Sequence, residues 1–113
     1  MSQKTHYPAG AITETLTGAV NKHCLVGYDR TFSDDDDAGY LGVTGEFDSL
    51  SGDNVALYTR GIVLISTSGT GSAGDALICA ANGKVKAQDG TEFVVGYALD
   101  DFVDASYVRV KLA

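Results

Sequence analysis

The sequence predicts an all-β fold, a small single-domain β-barrel or sandwich of short antiparallel strands preceded by an N-terminal arm. Apolar, β-branched and aromatic residues fall in runs of about four to seven, separated by Gly, Asp, Asn and Ser. Fourteen glycines against a single proline supply turn chemistry along the whole chain. No window of helical length repeats apolar residues at i, i+3, i+4 and i+7 between capping residues.

Taken in order, strands are expected at Ala11–Leu16, His23–Asp29, Ala38–Val43, Asn54–Arg60, Ile62–Thr67, Ala76–Ala80, Lys84–Ala87, Phe93–Leu99 and Tyr107–Leu112. Val55-Ala56-Leu57-Tyr58-Thr59 and Tyr107-Val108-Arg109-Val110-Lys111-Leu112 alternate with period two, the pattern of a half-buried antiparallel strand. Asn82-Gly83 between two of these runs is the strongest hairpin signal, because both residues accept positive φ. Asp89-Gly90 is a second. Leu99 to Val103 is the one stretch that suits a helical turn. Before the first strand, residues 1–10 are polar and read as an arm; residues 11–113 form the domain.

A weak repeat organises the domain. Tyr40-Leu41-Gly42-Val43 leads through an acidic loop to Val55-Ala56-Leu57, and Val94-Val95-Gly96-Tyr97-Ala98-Leu99 leads through Asp100, Asp101 and Asp104 to Val108-Arg109-Val110. Glycine inside a strand marks a bulge or sharp bend, so both units are expected to turn a strand around a corner. Such matching corners suit a barrel.

Size and charge narrow the function. A chain of 113 residues is one domain of ordinary size and buries roughly two-thirds of its unfolded surface without help from metals or disulfides. The longest apolar run, Ile62–Ile65, falls far short of the ~20 residues of a membrane span. Met1 to Pro8 contains no apolar stretch, so synthesis in a cytosol is expected. The net charge of −7 and the scattered Lys and Arg oppose nucleic acid and anionic membranes as partners.

Candidate chemistry is sparse. Cys24 and Cys79 lie in apolar runs and are expected to be buried, reduced thiols. His23 adjoins Cys24, but neighbouring strand residues face opposite ways and do not share a metal. Asp34-Asp35-Asp36-Asp37 lacks the internal Gly and closing Glu of a calcium loop and reads as a solvated acidic run. Gly69-Thr70-Gly71-Ser72-Ala73-Gly74-Asp75 lacks the lysine and following helix of a phosphate loop and reads as a turn. No nucleophile has a base beside it, and no metal or other cofactor is expected. The residues thus favour a protein that binds a surface over an enzyme.

Four stretches carry a family resemblance: Tyr40-Leu41-Gly42-Val43 with Gly52-Asp53-Asn54-Val55-Ala56-Leu57 and Arg60-Gly61-Ile62-Val63; Ser72-Ala73-Gly74-Asp75-Ala76-Leu77; Ala81-Asn82-Gly83-Lys84-Val85; and Val95-Gly96-Tyr97-Ala98-Leu99-Asp100 with the terminal Val108-Arg109-Val110-Lys111-Leu112. In order and spacing the chain from Ala11 to Ala113 resembles the capsid cement (head decoration) proteins of tailed bacteriophages. It departs from them at Asp104, near which the family has a further glycine. The resemblance implies a structural virion protein on the outer surface of an icosahedral head, often trimeric, that bridges capsomers and braces the shell against packaged DNA. Its implied partners are the major capsid protein and further copies of itself. Lys4, His6, Tyr7 and Pro8 of the arm are the expected capsid- or subunit-contacting residues. The alternative is a carbohydrate- or receptor-binding β module on the virion, which six tyrosines permit and the absence of Trp disfavours.

Overall fold

The computed structural model describes residues 7–33 and 39–113. Its strands are β1 (Tyr7–Thr15), β2 (Leu25–Val26), β3 (Gly42–Val43), β4 (Asn54–Ser66), β5 (Ala76–Cys79), β6 (Val85–Ala87), β7 (Gly96–Ala98) and β8 (Tyr107–Leu112). They form one sheet in the order β2-β3-β4-β8-β7-β5-β6, with β1 added on β4. All strand pairs are antiparallel.

The long strand β4 is the spine. Tyr58 pairs with Ala11 of β1 and with Val43 of β3, and Ile62 pairs with Tyr7 of β1 and with Lys111 of β8. One residue cannot pair with two strands on the same edge, so β1 follows one edge of β4 while β3 and β8 share the other. From β4 the sheet curls through β8, β7, β5 and β6. A parallel bridge between Thr67 and Val85, with Ser68 N–H donating to the Val85 carbonyl at 2.8 Å, returns β6 to the end of β4. The result is a nearly closed barrel.

Every strand of that ring sends side chains inward: Val63 and Ile65, Val108 and Val110, Ala98, Leu77 and Cys79, and Val85 all belong to one buried cluster. A second cluster, Leu16, Val20, Cys24, Val26 and Leu57, lies under the first half of β4. Each of these larger side chains contributes about 1.5–3 kcal/mol by leaving water. On β8 the expected alternation is present. Val108, Val110 and Leu112 are buried, whereas Lys111 is exposed.

The two strands expected at Asn54–Arg60 and Ile62–Thr67 are one strand, and Gly61 explains both views. Its φ of +98° breaks the period-two alternation. Leu57 packs in the second cluster and Tyr58 against the barrel cluster, yet beyond Gly61 it is Val63 and Ile65 that enter the barrel. The faces have exchanged.

Other boundaries also differ. β1 starts at Tyr7 rather than Ala11, so Tyr7 to Gly10 of the expected arm are sheet, with an irregularity between Pro8 and Ala11. The runs at His23–Asp29, Ala38–Val43 and Phe93–Leu99 contract to β2, β3 and β7; Ala38 lies outside the described residues. Asp89-Gly90 does not make a hairpin, because Leu77 takes Ala87 of β6 on one edge and Gly96 of β7 on the other. Leu99 to Val103 is not helical: Phe102 exchanges backbone hydrogen bonds with Gly71 at 3.1 and 2.9 Å, which holds it extended. Asn82-Gly83 does turn the β5–β6 hairpin, with both φ values positive at 61° and 75°.

The weak repeat corresponds to a real structural equivalence, with a different role for its glycines. Gly42 and Gly96 do not have positive φ and are not bulged. Each lets its strand approach the partner that follows the acidic loop. A Cβ on Gly42 would sit 2.7 Å from the Leu57 Cβ, and one on Gly96 would sit 2.4 Å from the Lys111 carbonyl oxygen. Gly96→Ala is therefore expected to cost about 1–3 kcal/mol through forced separation of β7 and β8. Urea unfolding would show this as a lower midpoint, and an unchanged midpoint would show that the two strands separate freely.

Candidate functional site

The residues expected to contact a partner begin the chain. Lys4 and His6 lie outside the described residues, as does the Asp34–Asp37 run. Tyr7 and Pro8 open β1, opposite Ile62 and Gly61 of β4. Whatever precedes Tyr7 is therefore attached to the sheet itself. Along its other edge β1 meets no strand among the described residues. Unpaired backbone on an edge strand is a ready template for another chain; here Pro8 removes one N–H and Glu14 places a charge there, bound to Arg30 at 3.0 Å.

Two surface features were not evident in the sequence. The first is apolar. Phe47 and Leu50 are 79 % and 68 % exposed in the β3–β4 connection, beside a shallow depression of about 390 Å³ lined by Gly45, Phe47, Ala56 and Tyr58. Two large apolar residues in the otherwise polar stretch Glu46–Asp53 were a readable signal, since nothing nearby gave them a core to join. The second is a polar cleft of about 600 Å³ between the segment Ala19–Cys24 and the Asn82–Lys84 turn, with Ser66 and Tyr107 also on its wall.

His23 lies beside that cleft and closes the edge of β4 where β1 stops. Its backbone N–H donates to the Gly45 carbonyl at 3.0 Å and its carbonyl accepts from Ser66 N–H at 2.7 Å. The ring hydrogen-bonds the Leu64 backbone and meets Tyr107 edge-on at 5.3 Å between centroids. This bridging requires a φ of +54°, outside the strand conformation expected at this position. Burial lowers the imidazole pKa below its ordinary value, helped by Lys22 and opposed by Glu46 and the Leu64 hydrogen bond.

Both cysteines are free and buried. Burial pushes the Cys24 thiol up to about 11, with Asp48 acting in the same direction and Lys84 against it. No group of three His, Cys, Asp or Glu side chains among the described residues is arranged to hold a metal. The glycine-rich loop has no amides to offer a phosphate at three of its positions. Gly69 N–H donates to Asp104, Ser72 N–H to Asp75 and Ala73 N–H to Asp101, at 2.8, 2.9 and 2.9 Å.

Comparison with known proteins fits this geometry. The phage cement protein family matches residues 6–112. The chain belongs to that family. Its fold is similar to that of the N base of the head fiber gp8.5 of bacteriophage phi29, with a TM-score of 0.74, 18 % sequence identity, and coverage of 92 % of this chain and 93 % of that one. No curated protein matches. As a phage cement protein the chain is a structural protein of the phage head.

Two outcomes are expected. Because the His23 pKa is lowered on folding, the unfolded chain takes up protons first. The corresponding stability is intact above about pH 6.5 and is lost as pH falls below that value. Urea midpoints should drop between pH 7.5 and pH 5, and less so in His23→Asn, a residue that tolerates the left-handed backbone; an equal drop in both would assign the loss elsewhere. Cys24 and Cys79 should react with an aromatic disulfide reagent at least about a hundredfold more slowly in the native protein than in urea. Equal rates would mean that the barrel opens locally.

Proposed function

We propose that this cement protein binds the outer surface of an icosahedral phage head and stabilises the shell against the pressure of packaged DNA, as a homotrimer bridging neighbouring capsomers. The observation that carries the reading is the family match over nearly the whole chain. The head-fiber fold neighbour supports location on the head. A net charge of −7 suits the outside of a shell and not its DNA-lined interior. Synthesis takes place in the host cytoplasm, where heads assemble.

The mechanism is avidity. A trimer engages several copies of the major capsid protein at once, so modest contacts add through effective concentration. A closed three-fold assembly also matches a three-fold site on the shell. Lys4, His6, Tyr7 and Pro8 supply contacts to capsid or to a neighbouring copy. Since Tyr7 and Pro8 are already held by β4, these contacts start from a fixed point, which lowers the ordering entropy of binding.

The test is sedimentation of the purified protein, alone and with expanded, undecorated heads. The expected result is a trimer that co-sediments and saturates at a fixed copy number per shell. Deleting residues 2–6, which spares β1, should weaken binding without lowering the urea midpoint. Absence of any association with heads would overturn the reading and turn attention to glycans and host receptors.

A further inference from the structure

Basic side chains are scarce in this chain, eight Lys and Arg against fifteen Asp and Glu. Arg30 is ion-paired with Glu14, and Arg109 is held by Asp100 through contacts of 3.0 and 2.8 Å. Lys22 and Lys84 differ. Although far apart in sequence, both line the cleft of about 600 Å³ between the Ala19–Cys24 segment and the β5–β6 turn. Neither forms an ion pair among the described residues.

The cleft is built, not incidental. The Gly83 N–H donates to the Ser33 carbonyl at 2.6 Å, and a Cβ at Gly83 would lie 2.8 Å from the Leu25 carbonyl oxygen, so the turn that carries Lys84 is clamped to β2. On the other wall, the Lys22 backbone N–H donates to the Asp48 carboxylate at 2.9 Å. That bond already engages one oxygen of Asp48, the only acid among the described residues that line the cleft. Among the described lining residues two lysines stand against one aspartate, a local positive balance on a chain whose total charge is −7.

We propose that this cleft binds an acidic peptide segment of a partner protein, with Lys22 and Lys84 receiving its carboxylates. Its volume is that of a site for several side-chain groups, not for a single ion. Asn21 and Ser66 also line the cleft and offer polar groups to such a segment. A polyanion such as nucleic acid is repelled by the rest of the surface, whereas a short acidic stretch carries few charges and reaches the lysines. That the partner is a head protein rests on the function proposed above; the chemistry of the cleft does not.

The test uses an acetylated peptide of alternating Glu and Ser, titrated into the isotopically labelled protein. Amide shifts are expected at Lys22, Asn82, Lys84 and Tyr107, weakening as salt rises to about 0.5 M. Lys22→Glu with Lys84→Glu should abolish them, and Lys22→Gln with Lys84→Gln should weaken binding about tenfold, should charge reversal impair folding. Lys86→Glu with Lys111→Glu, an equal change in net charge, should retain them. Shifts absent from the wild type, or lost equally in that control, would overturn the proposal. Tighter binding of an oligomer of uronic acid than of the peptide would also overturn it in favour of a glycan. The same variants are then sedimented with undecorated heads. Peptide binding without head binding by the wild type would remove the head assignment and leave the cleft standing. Head binding with no peptide shifts would do the reverse.

Discussion

β4, thirteen residues long, borders both cores, and near its middle Gly61 takes a φ of +98° that residues with a side chain rarely adopt. The strand changes face there, and with that single change one element serves two cores. Before it, Leu57 closes the smaller cluster; after it, Val63 and Ile65 enter the barrel. The partners follow. β1 lies along one edge, β3 and β8 divide the other, and the end at Thr67 meets β6. Remove that change of face and the barrel loses two of its inward residues to the opposite face, since a change of register parity moves every side chain across the sheet.

The acidic residues do more structural work than the charge total suggests. Asp48, Asp53, Asp75, Asp101 and Asp104 each accept a backbone N–H from a turn or a neighbouring loop. Strands as short as two or three residues leave long connections whose amides lack ladder partners. Carboxylates accept from some of them, three residues further on at Asp53 and Asp75 and from a distant loop at Asp48, Asp101 and Asp104. The acidity of this protein is thus partly a consequence of short strands. It also leaves the surface anionic, so that a cleft carrying two lysines stands out against it.

The sequence revealed the core and the turns more readily than the strand partners. Period-two alternation identified β8 and the first half of β4, and the apolar run Ile62–Ile65 identified the second half, which shares the barrel core with β8. Asn82-Gly83 identified a hairpin because the backbone there has few alternatives. Asp89-Gly90 misled: a turn dipeptide says that the chain reverses, not which neighbour the next strand will choose, and β5 already stood between β6 and β7. The helical turn at Leu99–Val103 was read from local spacing, but Phe102 is held extended by Gly71, about thirty residues earlier, a contact that local propensity does not contain. The start of β1 was hidden for a related reason, since Tyr7-Pro8-Ala9-Gly10, with its Pro and Gly, qualifies as strand only through pairing with β4.

The cleft shows where sequence reading reaches its limit. Lys22 and Lys84 carry no motif, and each alone reads as an ordinary solvated lysine. They meet because Gly83 packs on Leu25, while His23, with its left-handed backbone, bridges Gly45 and Ser66. Those contacts hold both walls of the cleft on the protein's own core, so little conformational entropy is lost when a ligand enters. The same economy applies to the arm, whose first paired residue is fixed by β4. In each place the proposed contact surface is fastened to the barrel by backbone hydrogen bonds, the condition under which several weak contacts on the proposed symmetric assembly combine without each having to order itself first.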